Sequence, residues 1–248
     1  MTLVFYKTAA AALIFLISIA TVIYPLRQKN TLSHVESTGL GEALASGIFL
    51  GAAFFHMLPD AIRIFSHAYP ARAYPIPESI CIGGFLLMLF LERLSLNGRS
   101  GTHSIPYILA LILIIHALTE GAALGIGNTF SEALMLFVAI AAHKGSESFA
   151  LCITLLRHQL PIYRVVFIIG FFAIMTPTGI ALGTALTLGD HSELMAAGFN
   201  AFAAGTFLYI STLHHIHFHK HTHDSRGLLE LLCLVLGVAT MALIAVWS

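Results

Sequence analysis

Charge is what this sequence has least of. Acidic and basic side chains together make up 10% of its 248 residues, and twelve Lys and Arg balance twelve Asp and Glu. A chain without net charge lacks the basic footprint of a nucleic-acid binder, so nucleic acid is excluded as a partner. Cysteine is nearly as scarce. Cys81, Cys152 and Cys233 lie far apart inside apolar runs, which suggests neither a disulfide framework nor a CxxC zinc site. What fills the sequence instead is apolar material, 58% of the residues, together with fourteen histidines. That leaves too little polar surface for a water-soluble domain, so the chain belongs in a lipid bilayer. The histidine excess then demands its own explanation.

Long apolar runs predict an all-α integral membrane protein, one transmembrane domain over residues 1–248. The eight candidate spans lie at about 8–26, 39–58, 77–95, 105–127, 131–156, 163–188, 194–214 and 227–247, each near the ~20 residues a crossing needs. The first run is followed by Arg27 and Lys29 without a convincing small-residue cleavage site, and is read as a retained helix rather than a signal peptide. Basic residues set the orientation. The odd-numbered connections carry Arg27, Lys29, Arg93, Arg99, Arg157, Arg164, Lys220 and Arg226, and the other side carries Lys7, Arg63 and Arg72. Eight against three places both termini outside, and Trp247 suits an interface there. Gly47 and Gly51, Gly121 and Gly125, and Gly179 and Gly183 have the spacing of close helix contacts. Pro177 should free backbone carbonyls and bend the sixth helix.

Ionisable residues in the middle of a span cost about 2.5–3.5 kcal/mol each and are functional candidates by default. His116 and Glu120 stand four residues apart on one face of the fourth span, and His143 and Glu147 repeat that spacing in the fifth. Each histidine lies some eleven or twelve residues into its run, roughly 17 Å at ~1.5 Å per residue, near the midplane of a ~30 Å core. Two such pairs at one depth predict a His₂Glu₂ cluster. Imidazole with carboxylate suits Zn²⁺ first, and also Fe²⁺, Mn²⁺, Co²⁺ or Cd²⁺, while the absence of thiolates argues against Cu(I) or a tight structural zinc site. No organic cofactor is expected. The bland alternative is a set of satisfied polar contacts between helices.

Taken together, several strings resemble the ZIP (Zrt/Irt-like) family of divalent metal transporters. His116-Ala117-Leu118-Thr119-Glu120-Gly121 is similar to the family's His-x-x-x-Glu-Gly signature, and His143-Lys144-Gly145 to the opening of the fifth helix in its plasma-membrane subgroup. The run from Ile48 to Asp60, Met175-Thr176-Pro177-Thr178-Gly179 and Gly205-Thr206-Phe207-Leu208-Tyr209-Ile210 resemble the second, sixth and seventh helices. The resemblance implies an eight-helix bundle with both termini outside, an elevator-like carrier moving metal toward the cytoplasm, and a primary site at His116, Glu120, His143 and Glu147. It also implies that a second metal position, polar or acidic in some relatives, is occupied here by Ala117, Lys144 and Thr176. Lys144 would then stand in for the second cation, and the chain would hold a single metal; the alternative is that Lys144 points elsewhere.

Two further groups lie outside the midplane cluster. His56 and Asp60 form another i, i+4 pair where a cation arriving from outside would pass, although Pro59 and Asp60 suit a helix end equally well. His214, His215, His217, His219, His221 and His223 form a biased tract that binds transition metals loosely. With the orientation above it faces the cytoplasm, as an exit relay or a sensor. Glu42 and Glu92 read as helix-end residues. The competing functions are an intramembrane zinc-dependent hydrolase, for which Ser146 and Thr119 are the available hydroxyls, and a proton channel. The expected partners are a divalent metal ion and the bilayer of a plasma membrane or a bacterial inner membrane, and a homodimer is compatible with the sequence.

Overall fold

The computed structural model describes residues 3–27, 39–70, 74–97, 105–186, 192–214 and 226–246, and of residues 95–97, 105, 192, 213, 214 and 226 the backbone alone. All regular structure among these residues is helical. We number the helices α1 (Leu3–Arg27), α2 (Gly39–Ala68), α3 (Ile76–Asn97), α4 (Ile105–Ile126), α5 (Phe130–Arg157), α6 (Ile162–Leu186), α7 (Ser192–Tyr209) and α8 (Arg226–Ile244). Seven of them are long and apolar enough to cross a membrane by length and composition. The eighth, α3, is of similar length and carries Glu78, Glu92 and Arg93 toward its ends.

Local sequence explains the helix ends and one irregularity. At the start of α5 the Thr129 hydroxyl accepts from the Glu132 N–H at 3.2 Å. The Glu132 carboxylate accepts in return from the Thr129 N–H at 3.3 Å, a capping box. In α2 the residues Ala53–Met57 form a π-helical turn, with the Leu58 N–H reaching back to the Ala53 carbonyl. The wider turn brings the helix past Pro59 and on to Ala68, so the second helix does not stop at 58. Pro177 likewise sits inside α6, which runs on to Leu186.

Packing divides the bundle into two halves. In one, α4 lies along α6 and α1 packs on α5 and α6; in the other, α2 pairs with α8 and α3 with α7. Glycine makes these pairings close. Gly121 of α4 faces the Thr176 carbonyl of α6, and Gly179 of α6 faces the Leu118 carbonyl in return. The same contact recurs between Gly47 and Leu234 for α2–α8, and between Gly205 and Cys81 for α3–α7. A Cβ at any of these positions would enter the partner's backbone, so only glycine permits the approach. Lys7 reinforces the first half: it is 5% exposed, and its ammonium donates to the Gly125 carbonyl of α4 at 2.6 Å. Of the apolar span windows, 61% of the α4 residues are buried against 11% for α8. Helix α4 is therefore central, and α8 lies at the lipid boundary.

Candidate metal centre

Near the middle of α4 and α5 the two His-x-x-x-Glu faces meet. His116 and Glu120 come from one helix, His143 and Glu147 from the other, and all four are buried. One ligand atom from each lies within 4.8 Å of the rest. The His116 Nε2 is 3.1 Å from the Glu147 Oε1 and 3.9 Å from the Glu120 Oε1, and the His143 Nε2 is 3.4 Å from the Glu147 Oε1. The His143 Nε2 also contacts the Glu120 Oε1 directly. Donors on one tetrahedral zinc, with bonds of about 2.0–2.2 Å, sit roughly 3.3 Å apart. The side chains thus hold nearly the spacing that a shared cation requires.

Hydrogen bonding fits a ligand set better than a packing contact. Although they lie close to oppositely charged groups, the buried His116 Nε2, Glu120 Oε2 and Glu147 Oε1 complete no hydrogen bond, and neither histidine Nδ1 has a partner. An unsatisfied buried polar atom costs about 1–3 kcal/mol, so several in one place mark donors suited to a positive ion.

Lys144 completes the cluster from the α5 side. Its side chain is fully buried, and the ammonium donates to the Glu147 Oε2 at 2.7 Å and lies 3.5 Å from the Glu120 Oε2. The same nitrogen stands 4.4 Å from the ring centroid of Phe172 in α6, a cation–π contact. Each glutamate therefore offers one oxygen to the histidines and the other to lysine. Ala117 and Thr176 are fully buried, and the Thr176 hydroxyl has no hydrogen-bond partner. From the other half of the bundle Phe207 of α7 meets the His116 ring at 4.4 Å between centroids and the His143 ring edge-on at 5.6 Å. Phe207 and Phe172 escape a reading of single helices, since only tertiary packing brings them to the site.

The model of the family described as ZIP Zinc transporter matches residues 4–104 and 98–245. This chain belongs to the ZIP family. Among its relatives, zinc transporter ZIP1 of Takifugu rubripes is 30% identical over 86% of this chain and 86% of its own length. Human zinc transporter ZIP2 is 28% identical over 83% of this chain and 84% of its own. Zinc transporter 11 of Arabidopsis thaliana is 27% identical, with all of this chain aligned to 86% of the relative.

In this ZIP protein a cavity of about 220 Å³, with charged and amide side chains among a largely apolar lining, opens at the end of the bundle that bears the α4–α5 connection. His56 and Asp60 line it, brought inward by the π-helical turn of α2, with His56 Nδ1 3.1 Å from Asp60 Oδ2. The Arg63 guanidinium holds the other Asp60 oxygen at 3.0 Å. Glu193 and Asn200 of α7 face the same cavity. Their i, i+7 spacing at the start of an apolar helix was the available signal for them. None of His116, Glu120, His143 and Glu147 lines this cavity, and Ala123, Met135 and Leu136 stand at its wall. Of the histidine tract, His214 ends the π-helical turn Ile210–His214 that prolongs α7, and its side chain lies outside the described residues. His215, His217, His219, His221 and His223 lie wholly outside them.

Proposed function

We propose that this protein carries Zn²⁺ across the membrane toward the cytoplasm, one ion per cycle, through His116, Glu120, His143 and Glu147. The observation that carries this reading is the midplane cluster itself, four donors within 4.8 Å of one another on two facing helices of a ZIP bundle. ZIP proteins are carriers, and membership of that family supports transport over hydrolysis.

Lys144 supports a single-metal site. Its ammonium already takes one oxygen from each glutamate, where a second cation would otherwise bind. His56 and Asp60 serve as an entrance, with Arg63 competing for the Asp60 carboxylate until a cation displaces it. The eight-to-three distribution of basic residues supports both termini outside. The half containing α1, α4, α5 and α6 carries the ion and moves against the other, in a plasma membrane or bacterial inner membrane; Fe²⁺, Mn²⁺, Co²⁺ and Cd²⁺ fit the same donors. The His214–His223 tract receives the ion on release.

Uptake of ⁶⁵Zn²⁺ into proteoliposomes tests the assignment. His143→Ala and Glu147→Ala should each reduce uptake by about tenfold or more, since loss even of groups that only support a metal's ligands costs about 10–100-fold. Undiminished uptake in both would remove the site, and no uptake by the parent protein would remove the carrier.

A further inference from the structure

Beside the metal centre an apolar cleft of about 460 Å³ opens between α3, α4 and α7. Its mouth is on the outer surface of the bundle, where Met195, Phe199 and Ile115 are 60%, 41% and 44% exposed. Its floor is deep. His116, Ala203 and Thr206 line it and are 4%, 4% and 1% exposed. Helix α7 thus lies between two spaces, presenting Glu193 and Asn200 to the first cavity and Met195 and Phe199 to the cleft.

Water is a poor occupant. The two hydroxyls in the cleft are committed to their own helices, Thr119 to the His116 carbonyl at 2.9 Å and Thr206 to the Ala203 carbonyl at 2.7 Å, which leaves the His116 ring as the one side chain there with unpartnered polar atoms. A buried water needs about two to four polar partners, and apolar cavities stay dry. The mouth lies on the apolar flank of membrane-spanning helices, where the surrounding medium is hydrocarbon. A second copy of the chain would bring a helix about 10–12 Å across to the mouth and could reach the floor with its side chains alone.

We propose that a lipid acyl chain inserts through this opening to the floor at His116 and forms the remaining wall of the metal centre between α4 and the α3–α7 pair. The consequence for the centre rests on the zinc-carrier reading; the binding itself does not. With the cleft filled, His116 is screened from water and headgroups along the membrane plane.

Gly198 supplies the test. It lines the cleft, and a Cβ there would meet no heavy atom within 4 Å, so a larger side chain projects into the space without striking backbone. Gly170 of α6 is equally open and lies outside the cleft, which makes it the control. The full chain would be reconstituted in phosphatidylcholine vesicles containing a trace of phosphatidylcholine with a diazirine near the end of one acyl chain. Adducts formed on irradiation would then be mapped by mass spectrometry. Adducts on the peptides bearing His116, Ala203 and Thr206 are expected in the parent, and on the order of tenfold fewer in Gly198→Phe and Gly198→Leu. Gly170→Phe should leave them unchanged. An unlabelled floor in the parent, or labelling that Gly198→Phe leaves intact, would overturn the proposal. So would a Met195→Cys variant that forms an interchain disulfide and loses the floor adducts with it. Labelling requires no transport, so a failed carrier assignment and a failed lipid site give different results.

Discussion

If Lys144 occupies a second cation position as proposed, replacing it by aspartate should turn a one-metal centre into a two-metal one. The wild-type cluster sets two carboxylates against one ammonium, so a single bound Zn²⁺ leaves one net positive charge with neutral histidines. Lys144→Asp exchanges the ammonium for a third carboxylate, and one zinc then leaves one net negative charge in a fully buried site. A second zinc restores the original balance. Geometry permits it: the Lys144 nitrogen is 2.7 Å from Glu147 and 3.5 Å from Glu120, and the shorter aspartate leaves that position for an ion bonded to both at about 2.0–2.2 Å.

The magnitude follows from the cost of leaving buried charge unpaired. Removing one partner of a buried ion pair destabilises by about 3–5 kcal/mol, so zinc-free Lys144→Asp should unfold well below the wild type. Zinc at a hundred times its dissociation constant returns about 2.7 kcal/mol per site. Elemental analysis of zinc per protein after equilibrium dialysis, with thermal unfolding in parallel, checks both. The expected outcome is one zinc per wild-type chain, two per variant chain, and a larger zinc-induced rise in Tm for the variant. An unchanged stoichiometry, with wild-type stability in zinc-free buffer, would refute the claim that Lys144 substitutes for a cation.

Three further predictions follow from the packing. Phe207→Leu should lower ⁶⁵Zn²⁺ uptake several-fold with zinc stoichiometry unchanged, since the lost ring contacts come from the half of the bundle that holds no ligands; loss of bound zinc would instead make Phe207 a support of the ligand geometry. Asp60→Asn should raise the KM for uptake while Arg63→Ala lowers it, with maximal rates little changed, because both act on capture; equal falls in maximal rate would argue against an entrance role. Gly121→Leu would drive a side chain into the Thr176 carbonyl and should abolish folded protein in size-exclusion analysis, whereas Gly170→Leu, which meets nothing, should behave as wild type.

What was legible in the sequence was what repeats along one helix. A histidine and a glutamate four apart share a face whatever surrounds them, so both halves of the midplane cluster could be read from spacing. The spacing of Gly121 with Gly125 and of Gly179 with Gly183 announced close contacts for the same reason, but gave no sign that these two pairs face each other. The π-helical turn at Ala53–Met57 was hidden because it depends on one wider hydrogen-bonded loop, and without it Pro59 looks like a terminator. Lys7 offered no signal, its acceptor being 118 residues away in sequence.

Those long-range pairings bear on the proposed movement of one half of the bundle against the other. Glycine-to-backbone contacts among the described residues join α4 to α6, α2 to α8 and α3 to α7, all within a half. Across the boundary the close contacts involve side chains: Phe207 against two imidazoles, the Phe149 ring of α5 against Gly41 of α2, and the half-buried Arg157–Glu42 pair at 2.8 Å between α5 and α2. Interlocked backbones resist sliding because every small displacement brings a carbonyl against a neighbouring Cα. Side chains accommodate the same displacement by changing rotamer. The boundary without glycine-to-backbone interlock is therefore the surface of least resistance, and the four proposed metal donors all lie on one side of it.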